Sequence, residues 1–372
     1  MLVGLAIALF VGSFASSAVL TAMAKRVAPR LGLVAYPKAD RYHRSIIPLG
    51  GGMAIFLTLA LSLIAGAAAM RLLVVPGHLG WIAERAHLNP ADFLRHCGEL
   101  LVILLCATIL FLVGLWDDKH ALGPFVKLAF QFLVAFLAAA FADVRVEFFI
   151  ENRIVTSILS AFWIVLIVNA FNFLDNMDGA SAGIAAIASS VLLTAAAFNG
   201  QVFVSSLAIV FVGALLGFLV FNFPPASIFM GDAGSLVVGF FVALLTLRTD
   251  YYHQAQSGPW YPVLLPLIAM AVPLYDFTSV TLLRISQGKS PFVGDTQHFS
   301  HRLRRRGLTD RQTALTLYLA TLCTGLGATF LYQVNLVGAI LIVGQTLLIV
   351  GIIGVFESTS KTNGKEGSNE GR

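Results

Sequence analysis

Residues 98–116 read GELLVILLCATILFLVGLW, and the chain continues at once into Asp117, Asp118, Lys119 and His120. Nineteen residues with one charge near the start match the length a helix needs to cross hydrocarbon, about 20 residues at 1.5 Å each. Working outward with the same ruler gives ten further apolar runs, at about 2–24, 50–72, 124–142, 154–173, 180–198, 202–222, 234–250, 262–284, 314–332 and 336–356. Eleven spans define an all-α, polytopic membrane protein. Over the 372 residues, 58% are hydrophobic and 12% charged, against about 25% charged in soluble domains. Such a chain lacks the polar surface to cover a soluble fold. The alternating ten-residue segments of a membrane β-barrel are absent.

The first span has no basic n-region and is too long for a cleavable signal peptide, so it is expected to stay as a membrane helix. Residues 1–356 are expected to form one transmembrane catalytic domain, and 357–372, rich in Gly, Ser, Lys and Glu, a disordered tail. Lys and Arg placement sets the orientation. With the N-terminus outside, 18 of the 24 basic residues fall on the inner side, among them Lys25, Arg26, Lys119, Lys127, Arg284 and the Arg302–Arg311 group. Arg71, Arg85, Arg95, Arg145, Arg153 and Arg248 fall outside. The C-terminus is then cytoplasmic. The positive net charge, +5, belongs to this asymmetry, and no basic–aromatic module points to nucleic acid. Cys97, Cys106 and Cys323 are too scattered for a disulfide framework or a zinc site.

Polar residues collect at the cytoplasmic ends of the spans. Asp117 and Asp118 close the third, Asn169, Asn172, Asp175 and Asp178 close the fifth, Asp232 opens the eighth, and His298 and His301 follow the ninth. Mid-span ionisable residues look almost absent, which disfavours a transporter or scramblase, whose sites lie near the midplane. Adjacent carboxylates suit a hard cation such as Mg²⁺, held by one or two carboxylates plus phosphate oxygens. Neighbours on a helix point about 100° apart, so one acid can face the metal or phosphate while the other orients a lysine or an acceptor. Asn169, Asn172 and Asn176 share a helical face with Asp175 beside them, a pattern of amides and acids suited to a nucleobase, ribose or amido-sugar. Asp232 sits between Gly231 and Gly234, where it can cap a helix or ligate a metal directly. Arg302 and Arg304, in the loop with both histidines, have the fork geometry for pyrophosphate oxygens.

Five blocks in order, DRYHRSIIPLGGG, GLWDDKHALGPFVKLAFQ, NAFNFLDNMDGASAG, FMGDAGS and DTQHFSHRLRRRG, resemble the polyprenyl-phosphate N-acetylhexosamine-1-phosphate transferases over residues 36–312. The resemblance implies ten or eleven spans, Mg²⁺ as cofactor with Mn²⁺ as an alternative, and a site facing the cytoplasm of a bacterial inner membrane. It implies GlcNAc-1-phosphate transfer from a UDP-N-acetylhexosamine to undecaprenyl phosphate or another polyprenyl phosphate, with UMP released and a lipid-linked first sugar of an envelope polysaccharide formed. Carried over by position, Asp117 and Asp118 are the paired acids near metal and lipid phosphate, Asp232 the metal-ligating acid, and Lys127 a basic residue of the active site. Asn172, Asp175 and Asp178 fall in the substrate block, and His298 and His301 in the histidine motif. The phospho-N-acetylmuramoyl-pentapeptide transferase branch is the second choice, and a homodimer is left open. Ser300 replaces the middle histidine of the usual HxHH, and Asn176 stands where many members have Gly.

Overall fold

A computed structural model describes residues 2–36, 46–78, 90–145, 150, 152–251, 259–290 and 298–358. The expected helices are present: α1 (Leu2–Val27), α2 (Gly51–Ala69), α3 (Pro90–His120), α4 (Pro124–Phe141), α5 (Arg153–Leu174), α6 (Ala180–Phe198), α7 (Val202–Asn222) and α8 (Asp232–Arg248). They are followed by α9 (Leu265–Ala269), α10 (Ala271–Ser286), α11 (Phe299–Arg305), α12 (Asp310–Thr329) and α13 (Leu336–Ser358). The only strands among the described residues, β1 (Val34–Ala35) and β2 (Ile47–Pro48), pair antiparallel.

The protein is an all-α, polytopic membrane protein, but the span count differs from eleven. Among the described residues nine helices are long and apolar enough to cross a bilayer. The expected span 262–284 is instead two helices bent by 62° at Met270, a tenth crossing only if the bent pair is one span. Pro266 and Pro273 flank the break, and proline removes the backbone donors that would carry a helix through. The remaining run, 234–250, is α8, which at 17 residues is shorter than a usual span. Two boundaries also move. Helix α3 starts at Pro90, ahead of the expected span 98–116, and α13 reaches Ser358, into the expected tail. Residues 37–45, 291–297 and 359–372 lie outside the described residues, and with them Asp40, Arg41, His43 and Asp295 of the sequence motifs.

Helix α8 is the axis of the bundle. It is apolar on every side, the signature of a helix surrounded by protein, and it is buried without a break from Ala233 to Thr246. Helices α2, α3, α5 and α6 pack around it. The close approach depends on small residues: a Cβ at Gly114 of α3 would lie 2.5 Å from the Ala233 Cα, and one at Gly52 of α2 would lie 2.3 Å from the Gly234 nitrogen. Membrane helices gain their contact energy from such backbone proximity. Because residues three and four apart share a helix face, the contact at Gly114 aims Asp117 and Asp118 at the entry of α8. On the rim, α1 turns Val3, Ile7, Val11 and Val19 outward and packs its Ser13, Ser17 and Thr21 stripe inward against α7.

Candidate active site

The entry of α8 is held by the start of α2 and the end of α3. The amides of Gly51 and Gly52, first-turn donors of α2 with no intrahelical partner, bind the carbonyls of Phe229 and Met230 at 2.9 Å each. Gly231 then turns the chain at φ +72°, and a Cβ there would sit 2.6 Å from Asp118 Oδ2. Only glycine meets both demands. Asp118 accepts the N–H of Asp232 at 2.8 Å through Oδ1 and the N–H of Ala233 at 3.1 Å through Oδ2. A carboxylate on the first amides of a helix satisfies orphan donors and opposes the helix dipole.

Asp117, on the neighbouring face, accepts the Leu122 N–H at 2.5 Å and the Lys127 ammonium at 3.0 Å. The same ammonium also donates to Asp232. Lys127 thus stands between Asp117 and Asp232 as a cation shared by two carboxylates. The other oxygen of Asp232 accepts from Asn172 Nδ2 at 3.1 Å, and that amide also reaches Ser235 Oγ at 2.8 Å. The ends of α3, α4 and α5 therefore meet the start of α8 in one polar cluster. The pairing of Asp117 with Lys119, a natural alternative for a helix end, is replaced by the pairing with Lys127.

The rest of the polar stripe on α5 divides. Asn169 lies deeper and donates to Gln131 Oε1 of α4 at 2.6 Å and to the Val165 carbonyl. Helix α5 stops at Leu174, so Asp175 sits at its C-terminus and Asp178 in the following turn, where it accepts the Ala226 N–H at 2.8 Å. Asn222 ties this turn to the loop before α8, accepting the Gly179 N–H at 3.0 Å and donating to the Ile228 carbonyl at 3.0 Å. Gly179 has φ +72°, and Tyr318 Oη of α12 donates to its carbonyl at 2.7 Å.

The histidine segment docks on the same end of α5. Ser300 Oγ donates to Asn176 Oδ1 at 2.5 Å, and the His298 ring meets Phe173 edge-on with centroids 5.5 Å apart. Ser300, in the place of the usual middle histidine, is thus the residue that fastens this segment to Asn176. Arg302 donates to Ser279 Oγ of α10 at 2.9 Å, and Arg304 pairs with Asp310 of α12 at 2.7 Å. His301 is buried, which pushes its imidazole down to about 4, with His298, Arg304 and Arg305 adding in the same direction. It is therefore neutral at pH 7.

Two groups of sequence-predicted residues thus share one end of the bundle: Asp117, Asp118, Lys127, Asn172 and Asp232 in direct contact, and His298, His301 and Arg302 beyond the last turn of α5. Sequence reading overlooked Asn222, Gln131, Ser235 and above all Asp276, which is 1% exposed inside the bent span and binds His298. An ionisable residue inside an apolar run was the signal for it.

Fold and site together define a polytopic membrane protein with a polar centre at one end of its helices. The family model for glycosyl transferase family 4 matches residues 100–250, which spans Asp117, Lys127, Asn172 and Asp232. The chain resembles that family over this stretch. It is 29% identical over 352 residues to the probable undecaprenyl-phosphate N-acetylglucosaminyl 1-phosphate transferase of Bacillus subtilis (strain 168), covering 92% of this chain and 90% of the relative. The undecaprenyl-phosphate alpha-N-acetylglucosaminyl 1-phosphate transferase of Escherichia coli (strain K12) is 26% identical over 80% of this chain and 76% of its own. The decaprenyl-phosphate N-acetylglucosaminephosphotransferase of Mycobacterium tuberculosis (strain CDC 1551 / Oshkosh) is 28% identical over 88% and 85%.

Proposed function

We propose that this protein transfers N-acetylhexosamine 1-phosphate, GlcNAc 1-phosphate first among the choices, from a UDP-sugar to undecaprenyl phosphate or a similar polyprenyl phosphate, releasing UMP. The observation that carries the reading is the cluster of Asp117, Lys127, Asp232 and Asn172 at one end of a lipid-facing bundle, in a chain that matches such transferases along most of its length. A water-soluble nucleotide and a membrane-bound phosphate can meet only at such an end.

The donor set fits a divalent cation. Asp117 and Asp232 already share one cationic group, the Lys127 ammonium. Among the described residues no three His, Cys, Asp or Glu side chains form a metal cluster. Two carboxylates suit an ion such as Mg²⁺, which takes one or two carboxylates and completes its shell with phosphate oxygens and water. Asp117 and Asp232 would hold such an ion, and it would supply electrostatic stabilisation of the negative charge that phosphoryl transfer develops.

Asp118 does not need to ligate in this scheme. Its two oxygens hold the amides that set Asp232 in place. Lys127 moves off the carboxylates and offsets phosphate charge, and Asn172 keeps Asp232 oriented. Asp175 and Asp178, in the turn after α5, and Arg302 and the histidines, on the docked segment, line the path of the nucleotide. The acceptor phosphate monoester is largely ionised at pH 7, with a second pKa of about 6, so attack on the β-phosphorus requires no strong base. The Lys and Arg asymmetry supports a cytoplasmic orientation for this end.

Purified protein given undecaprenyl phosphate, Mg²⁺ and a panel of UDP-sugars tests the reading. UMP release with a UDP-N-acetylhexosamine is the expected result. No UMP with any donor, in Mg²⁺ or Mn²⁺, rejects it.

A further inference from the structure

Asp276 is a buried carboxylate that no step above uses. Its Oδ2 lies 3.1 Å from His298 Nδ1, and its Oδ1 accepts the Phe299 N–H at 2.7 Å. The side chain is 1% exposed and His298 7%. A carboxylate at this depth loses its hydration and needs hydrogen bonds in its place, and here both oxygens are spent on two consecutive residues of another segment. The Phe299 N–H is a first-turn donor of α11 without an intrahelical acceptor, so one carboxylate fixes the start of α11 and the ring next to it.

The ring it holds is tied to the centre by a short chain of contacts. His298 packs edge-on against Phe173, and Phe173 adjoins Asn172, which binds Asp232. An anionic acceptor at Nδ1 requires the hydrogen on that nitrogen, which leaves Nε2 as the ring's second hydrogen-bonding atom. Carboxylates placed behind histidines in this way set tautomer and ring orientation.

We propose that Asp276 is a positioning residue that fixes His298 as the Nδ1–H tautomer, leaving Nε2 to accept a hydrogen bond from an amide or hydroxyl of the donor sugar nucleotide. This rests on the proposed transfer for its substrate but not for its tautomer. Asp276→Asn separates a positioning role from a packing one. The amide keeps the shape, and its oxygen still accepts from Phe299, but its NH₂ faces Nδ1 and demands a lone pair there. The hydrogen then moves to Nε2, and an acceptor becomes a donor.

Two measurements decide the matter. Asp276→Asn should lower kcat/KM for UDP-GlcNAc by about tenfold to 100-fold while its melting temperature stays within a few degrees. In a His298→Ala background the same change should cost less than about twofold, since coupled residues are not additive. Equal losses in both backgrounds, or full activity of Asp276→Asn, overturn the proposal. Independently of turnover, ¹⁵N-histidine NMR of the wild-type protein at pH 8, with the His298 signal assigned by its loss in His298→Gln, should show hydrogen on Nδ1 alone. Hydrogen on Nε2 or on both nitrogens overturns the proposal. If wild-type protein releases no UMP, the transfer reading fails while the NMR result still stands or falls by itself.

Discussion

Asp118 binds the backbone of Asp232, not its side chain: the N–H groups of Asp232 and Ala233 reach the two Asp118 oxygens at 2.8 and 3.1 Å. Two acids adjacent in sequence, Asp117 and Asp118, thereby do different things. One shares a lysine with Asp232, and the other fixes the helix on which Asp232 stands.

The two acids should therefore fail differently. Asp118→Ala removes a helix cap, worth about 0.5–2 kcal/mol, and should lower the melting temperature in detergent along with activity. Asp232→Asn should leave the melting temperature near wild type and reduce UMP release at least about 100-fold, the scale of removing one preorganised electrostatic partner. Thermal unfolding and turnover of both variants, side by side, check this. A fully active Asp232→Asn contradicts its role.

Gly231→Ala should be as damaging as loss of Asp232. The new Cβ faces both a φ of +72° and the Asp118 carboxylate at 2.6 Å. Gly12→Ala, with open space around its position on α1, is the matched control and should retain turnover and stability within error.

Lys127 occupies the space between two carboxylates that a divalent cation would share. Lys127→Met should abolish most turnover yet bind Mg²⁺ more tightly, because no ammonium then competes. A larger rise in melting temperature on adding MgCl₂ than wild type shows is the expected readout, reversed by EDTA.

His301 gives a pH signature. Its folded pKa, about 4, lies below the ordinary 6.5, so the unfolded chain binds the proton first. Its stabilising contribution is complete above pH 6.5 and is lost as pH falls from there towards 4. Melting temperatures of wild type and His301→Gln, compared between pH 7.5 and 4.5, should diverge, wild type losing more on acidification.

Much of this was legible in the sequence because hydrocarbon imposes a length, and α1, α2 and α4 to α7 begin and end close to where apolar runs do. The break at Met270 was not, since the residues around it, Leu265–Leu274, are apolar and only Pro266 and Pro273 mark it. Reading 262–284 as one plain span also hid Asp276. At the site, the spacing of Asn172 and the glycines around Asp232 told which residues would meet. It could not tell that Asp118 would turn to backbone amides, that Arg304 would go to Asp310, or that Asn169 would be used by Gln131, because each choice depends on which helix lies across from it.

The most direct test follows the phosphorus. With UDP-GlcNAc labelled at the β-phosphate, undecaprenyl phosphate and Mg²⁺, the label should leave the nucleotide and appear in the lipid fraction, one equivalent for each UMP formed. Label retained in UDP, with sugar alone passed to the lipid, would contradict the account.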